Sequence, residues 1–159
     1  MAEELRITGT SREEIYVSLL PQLRSLIQDE TDLVSILANV SAALKQSFGF
    51  FWVGFYIVKN DKLMLGPFQG TIACMEIPYG KGVCGAAWKE KSTQLVPDVD
   101  LFPGHIVCSN ASKSEIVLPI IKNDQVVAVL DIDSDKLDDF NETDQTYLTN
   151  LCKWLSIYF

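Results

Sequence analysis

Two apolar runs separated by a two-residue turn constrain this chain more than any other feature. SEIVLPIIK, the turn Asn123-Asp124, and QVVAVLDIDS read as a β-hairpin, because β-branched runs bounded by turn formers fit paired extended strands. The hairpin also has chemistry at its open end. Glu115 sits where the preceding loop becomes a strand, and Asp131 and Asp133 close the second strand; being two apart, those aspartates share a face. The loop that leads in, Asp98 to Lys113, is long for a compact domain, and such loops are usually functional or disordered. It carries Cys108, and loops held by a rigid sheet are where reactive groups meet substrates. If the two strands are neighbours, one thiol and three acids converge on one pocket. The plainer alternative is that two acids mark where an apolar strand meets water; the sharper one is that they bind a cation such as an ammonium group, or hold a proton.

The rest of the chain is organised to cover that hairpin. At 159 residues, with 48% hydrophobic and 21% charged, it is expected to form one domain over 1–159 with a buried core, after a flexible lead over 1–10. Ser11 and Glu14 form a capping box ahead of Ile15, Leu19, Leu23, Leu26 and Ile27 at helical spacing. Pro21 should kink or restart that helix, since it supplies no amide hydrogen. A second helix is predicted from Asp32, with Leu33, Ile36, Leu37, Val40 and Leu44 on one face and Gly49 as its stop. FFWVGFYIV reads as a central strand, paired through Lys59-Asn60-Asp61-Lys62 with LMLGPF. TIACMEIP is a further strand carrying Cys74, GKGVCGAAWKEK a short helix after three glycines, and TQLVPDV a short strand. A last helix follows Asn141, with Leu148, Leu151, Leu155 and Tyr158 inward. The simplest layering is α+β: a twisted antiparallel sheet with N- and C-terminal helices on one face and loops roofing a pocket on the other.

Charge excludes some functions. A net charge of −8 disfavours nucleic acid and anionic membrane surfaces, both of which need gathered Lys and Arg. IVLPII and VVAVL are far shorter than the roughly 20 residues of a spanning helix. MAEELRITGT has no basic region followed by an apolar segment, so a cytoplasmic location is expected. The expected partner is a small molecule or another protein.

Four cysteines in a reducing compartment point to metal or catalysis rather than permanent bridges. Cys152 lies among core residues of the last helix and reads as a small buried hydrophobe. A zinc set from Cys74, Cys84, Cys108 and His105 is disfavoured, for there is no C-x-x-C pair and the spacings are wide. A redox role needs only one reactive thiolate and a second thiol within reach. GKGVCG meets neither phosphate-loop pattern, and tight turning explains its glycines better. His105 reads as a hydrogen-bonding or surface group, although it lies three residues from Cys108 and could lower that thiol's pKa. Trp52 and Tyr56 share a strand face with Phe50 and Gly54, as core or as the aromatic wall of a ligand pocket.

GKGVCGAAW, FPGHIVCSNASKSEIVLPI and VLDIDS together resemble the free methionine-(R)-sulfoxide reductases, which are single GAF domains. The likeness covers nearly the whole chain, FFWVGFYI and the terminal helices included. Its specificity lies in three cysteines at matching places with SEIV and LDIDS, which an ordinary ligand-sensing GAF domain does not carry. Ala128 stands where the family often has Gly, a small departure. The resemblance implies reduction of the free amino acid methionine sulfoxide, R at sulfur, with Cys108 as nucleophile. It implies Glu115 and Asp133 at the sulfoxide oxygen, Asp131 on the substrate ammonium, and Trp52 and Tyr56 around the methylthio end. It also implies Cys74 as main resolving thiol, Cys84 as a second route, thioredoxin as reductant, no bound cofactor or metal, and homodimerisation as a family habit. The competing expectations are a regulatory GAF module that binds a small ligand and a cysteine redox sensor without turnover.

Overall fold

The computed structural model describes residues 4–159, so Met1–Glu3 of the expected lead lie outside the described residues. Residues 4–10 run along the first helix, α1 (Arg12–Ile27): the Arg6 amide donates to Gln22 Oε1 at 2.8 Å and the Thr8 amide to Ser18 Oγ at 3.0 Å. Leu5 and Ile7 pack against the core.

The helix starts follow from their caps. Ser11 and Glu14 make the reciprocal capping box that opens α1, and Asp32 accepts from the Ser35 amide at 2.8 Å to open α2 (Leu33–Phe48). Gly49 ends α2 at φ 69°, a left-handed conformation that costs glycine little. Pro21 does not break α1, which runs unbroken to Ile27. Its missing amide would have bonded the carbonyl of Val17, which is 58% exposed, so water can take that acceptor.

Six strands form one sheet in the order β3-β2-β1-β6-β5-β4, every neighbouring pair antiparallel. They are β1 (Trp52–Lys59), β2 (Lys62–Gln69), β3 (Glu76–Pro78), β4 (Gln94–Val96), β5 (Ser114–Lys122) and β6 (Gln125–Ser134). The predicted hairpin is β5–β6, turned by Asn123 and Asp124, both with positive φ. β3 is only three residues, so Cys74 lies in the irregular stretch before it rather than on a strand.

The alternation of strand side chains divides the interior in two. Val53, Phe55, Ile116, Leu118, Ile120, Leu130 and Ile132 face α1, α2 and the last helix, α4 (Glu142–Leu155), in the larger core. Trp52, Tyr56, Val117 and Val129 face the opposite way, where the short helix α3 (Gly82–Glu90) packs with Val83, Cys84 and Ala87. Helical cover on both faces explains why the central strands read as nearly continuous apolar runs. Phe50 departs from the expected register. It precedes β1 and belongs to the helix side, its ring 5.0 Å from Phe48 and 5.6 Å from Phe140, so it does not share the face of Trp52. Gly54 does share that face's constraints: a Cβ there would fall 2.8 Å from the Trp52 indole and 2.3 Å from Phe68 Cβ.

Asp144 ties α4 to α1. Fully buried, it accepts from the Tyr16 hydroxyl at 2.7 Å, the Arg12 guanidinium at 3.0 Å and the Asn141 amide at 2.9 Å. Asp144→Ala therefore strands a buried hydroxyl and a half-buried guanidinium, and should cost about 3–5 kcal/mol of unfolding free energy in a urea titration. Asp139→Ala removes the more exposed second partner of Arg12 but also the acceptor of the buried Ser134 hydroxyl, and should cost less, about 1–3 kcal/mol.

Candidate functional site

Register alone assembles the floor of the site. Trp52 on β1 stands opposite Asp133 on β6, which stands opposite Glu115 on β5; the next row on that face is Gly54, Asp131 and Val117. The two hairpin strands are neighbours, so the three acids converge as expected. Tyr56, one row further along β1, extends the same face, its ring 6.1 Å from Trp52 and partly stacked. From the other side come Cys84 on α3 and the loop carrying Cys108. Trp52, Tyr56, the three acids, Cys84 and Cys108 line a cavity with about 540 Å³ of atom-free space inside and at its mouth.

Cys74 and Cys108 are joined as a disulfide at the edge of this cavity, across a sequence separation of 34. Cys108 is exposed and Cys74 half-buried, whereas Cys84 and Cys152 are free and buried. Cys152 sits in the helix-side core, where burial pushes its thiol pKa up, in keeping with a packing role. The aromatic wall also fixes the backbone beside the bridge. The Tyr56 hydroxyl donates to the Cys74 carbonyl and the Trp52 indole N–H to the Thr71 carbonyl, each at 3.0 Å. Sequence reasoning missed this, because a side chain that seeks a backbone acceptor leaves no mark at the accepting residue.

The acids are crowded in a poorly hydrated place. Burial first, then the charges of Asp131 and Asp133, holds Glu115 well above the usual carboxylate range. Burial first, then Asp131, does the same to Asp133, although the Ser112 hydroxyl donates to it and opposes the shift. Asp131 is raised by burial to only about 6, because hydrogen bonds from Glu115 and Cys84 favour its charged form. None of the ion pairs among the described residues involves these three. Asp131 Oδ1 is buried without a hydrogen-bond partner. Burial, with Asp131 and Glu115 beside it, keeps the Cys84 thiol protonated. The arrangement can therefore hold one proton and one anion side by side near neutral pH.

His105, expected as a hydrogen-bonding or surface group, lines the cavity, and burial lowers its pKa despite Asp100 nearby. Other wall residues had no signal: Phe51, Ile72, Lys81, Ile106 and Ser112 arrive from irregular segments. Gly82, at φ +62°, opens α3 toward the cavity with Ile106 close against it.

A curled antiparallel sheet of this order, with a cavity roofed by loops, is the GAF fold, and the chain belongs to the GAF domain family, whose model matches residues 28–158. It is 44% identical to the free methionine-R-sulfoxide reductase of Escherichia coli, over 89% of this chain and 86% of that one. It is 55% identical to GAF domain-containing protein A of Dictyostelium discoideum, over 98% and 99% of the two chains. The solved free methionine-R-sulfoxide reductase of Neisseria meningitidis, in complex with its substrate, superposes with a TM-score of 0.96 at 48% identity, covering 98% of this chain and 95% of that one. These relatives put the chain among the free methionine-R-sulfoxide reductases of the GAF family.

Proposed function

We propose that this chain reduces free methionine-(R)-sulfoxide to methionine, with thioredoxin as the source of electrons and the cytoplasm as its place of work. The observation that carries the reading is the Cys74–Cys108 bridge at the edge of a cavity floored by three unpaired carboxylates. A dithiol there is a two-electron store beside a proton store.

With the bridge reduced, the Cys108 thiolate attacks the sulfoxide sulfur while Glu115 or Asp133, held protonated, delivers a proton to the sulfoxide oxygen. A second proton expels the oxygen as water and leaves a sulfonium bonded to Cys108. Attack of water on Cys108 Sγ then breaks that S–S bond, releasing methionine and one proton and leaving Cys108 as a sulfenic acid. The Cys74 thiol attacks that sulfur, water leaves, and the Cys74–Cys108 disulfide forms. A thioredoxin dithiol then reduces the bridge through a mixed disulfide. Cys84 lines the same cavity as Cys108 and serves as a second route of resolution.

Selectivity has a physical basis. Asp131 retains its charge more readily than its neighbours and has a free buried oxygen, so it pairs with the substrate ammonium. A peptide-bound sulfoxide has no such ammonium and would leave that oxygen unmet. Trp52 and Tyr56 enclose the methylthio end.

The test is NADPH consumption coupled through thioredoxin reductase and thioredoxin, with each sulfoxide epimer supplied separately. Turnover of the R epimer alone is expected; a ligand-binding module or a redox sensor would consume neither. Cys74→Ser should still yield one methionine per chain in a single-turnover assay but lose most of its thioredoxin-driven cycling, any remainder passing through Cys84. Unimpaired cycling by that variant would remove Cys74 from the scheme.

A further inference from the structure

The cavity holds a thiol that the main catalytic route leaves idle. Cys84 Sγ and one carboxylate oxygen each from Glu115 and Asp131 lie within 4.8 Å of one another, and all three residues are buried. Asp131, only 6% exposed, lines the cavity with its Oδ1 lacking any hydrogen-bond partner. Buried carboxylates are ordinarily paired or metal-bound, yet no ion pair among the described residues reaches these two. Of the basic groups that line the cavity, Lys81 is exposed, at the start of α3. Cys74 and Cys108 are engaged with each other, so Cys84 is the one free thiol on the wall.

We propose that the disulfide form of this chain binds one thiophilic divalent cation, of the Zn²⁺ class, through Cys84, Glu115 and Asp131, with the fourth position open to the cavity. Tetrahedral zinc with ligands at about 2.0–2.3 Å sets its donor atoms roughly 3.6 Å apart, so this cluster needs little rearrangement. A thiolate beside two carboxylates favours zinc over magnesium or calcium, which prefer six or more oxygens. Binding displaces the thiol proton of Cys84 and any proton on Glu115 into solvent. The set differs from the Cys74, Cys84, Cys108 and His105 combination that spacing argues against: its acids come from adjacent strands and only Cys84 is shared. The ion would occupy the carboxylate assigned to the substrate ammonium, so metal and free amino acid exclude each other. That consequence rests on the reductase reading; the site itself does not.

The experiment uses the oxidised full chain, stripped with chelator, so that Cys74 and Cys108 cannot ligate. Equilibrium dialysis against Zn²⁺ should give one ion per chain, and Co²⁺ in its place should give thiolate-to-cobalt absorption. Cys84→Ser should abolish that absorption, while Cys152→Ser should leave it unchanged. Because even outer-shell changes at metal sites cost 10–100-fold, Asp131→Asn should weaken zinc by roughly a hundredfold. Failure of the oxidised chain to retain zinc, or thiolate-to-cobalt absorption that persists in Cys84→Ser, overturns the proposal. Free methionine sulfoxide should displace the zinc. Zinc that binds but resists displacement leaves the metal site standing and overturns the shared use of Asp131.

Discussion

Replacing Cys108 by serine is expected to lower sulfoxide turnover by more than roughly a thousandfold, as loss of a covalent nucleophile does in other enzymes. A serine hydroxyl in the same place has neither a thiolate's nucleophilicity nor a stable two-electron oxidised state to hand on. The variant should still bind substrate, since the groups proposed to hold it (Asp131, Trp52 and Tyr56) come from β6 and β1 and not from the loop of Cys108. Stability offers a built-in control. The bridge closes a loop of separation 34, so the oxidised wild type should exceed its reduced form by about 4 kcal/mol on the chain-entropy scale. Cys108→Ser should unfold like the reduced wild type. A loss of activity accompanied by a much larger loss of stability would mean that the loop, not the sulfur, had been damaged. Steady-state turnover at the wild-type rate would end the mechanism.

What could be read from the sequence follows the range of the interactions involved. Helix starts at Ser11, Asp32 and Asn141 and the stop at Gly49 are local, decided by one side chain and an amide within three residues. The β5–β6 hairpin is local too, although its turn alone would set Glu115 against Ile132; a register shift between Ile120 and Ile121 brings Glu115 opposite Asp133. The two-residue period then sends Asp131, Asp133, Trp52 and Tyr56 to one side together. Legibility ends where the contact is made to backbone or depends on a strand's first residue. The apolar run begins at Phe50 and so predicts Phe50 on the Trp52 face, but β1 begins at Trp52 and the preceding bend sends Phe50 to the helices. The position of Cys74 is set by Tyr56 and Trp52 holding nearby carbonyls, and three residues of β3 are too few to carry a period. Cys84 against Asp131 depends on how α3 docks on the sheet, a tertiary outcome that no motif encodes. The pairing of Cys74 with Cys108 was available through family resemblance, not through spacing.

Asp131→Asn should damage catalysis and strengthen the fold. Removing one partner of a buried, hydrogen-bonded charge pair costs about 2–5 kcal/mol, so KM for the free amino acid should rise by roughly a hundredfold to a thousandfold. kcat should fall less, because Glu115 and Asp133 remain to supply the proton. The wild-type kcat/KM profile should lose its acid side as Asp131 takes up a proton near pH 6, and its alkaline side as Glu115 and Asp133 give theirs up. Stability runs the other way. Burial raises Asp131 from 3.8 to about 6, so between those values the folded chain keeps a proton that the unfolded chain releases. Raising the pH through that window therefore favours unfolding, and the penalty, on the order of 3 kcal/mol, persists above it. An asparagine carries no such penalty. The variant should melt above wild type at pH 8 and alongside it at pH 3.5, read by thermal denaturation of the oxidised form at both values. Equal melting at pH 8 by the chelator-treated chains would mean that the Asp131 charge costs the fold nothing, and the imbalance on which both its substrate role and the zinc site depend would be gone.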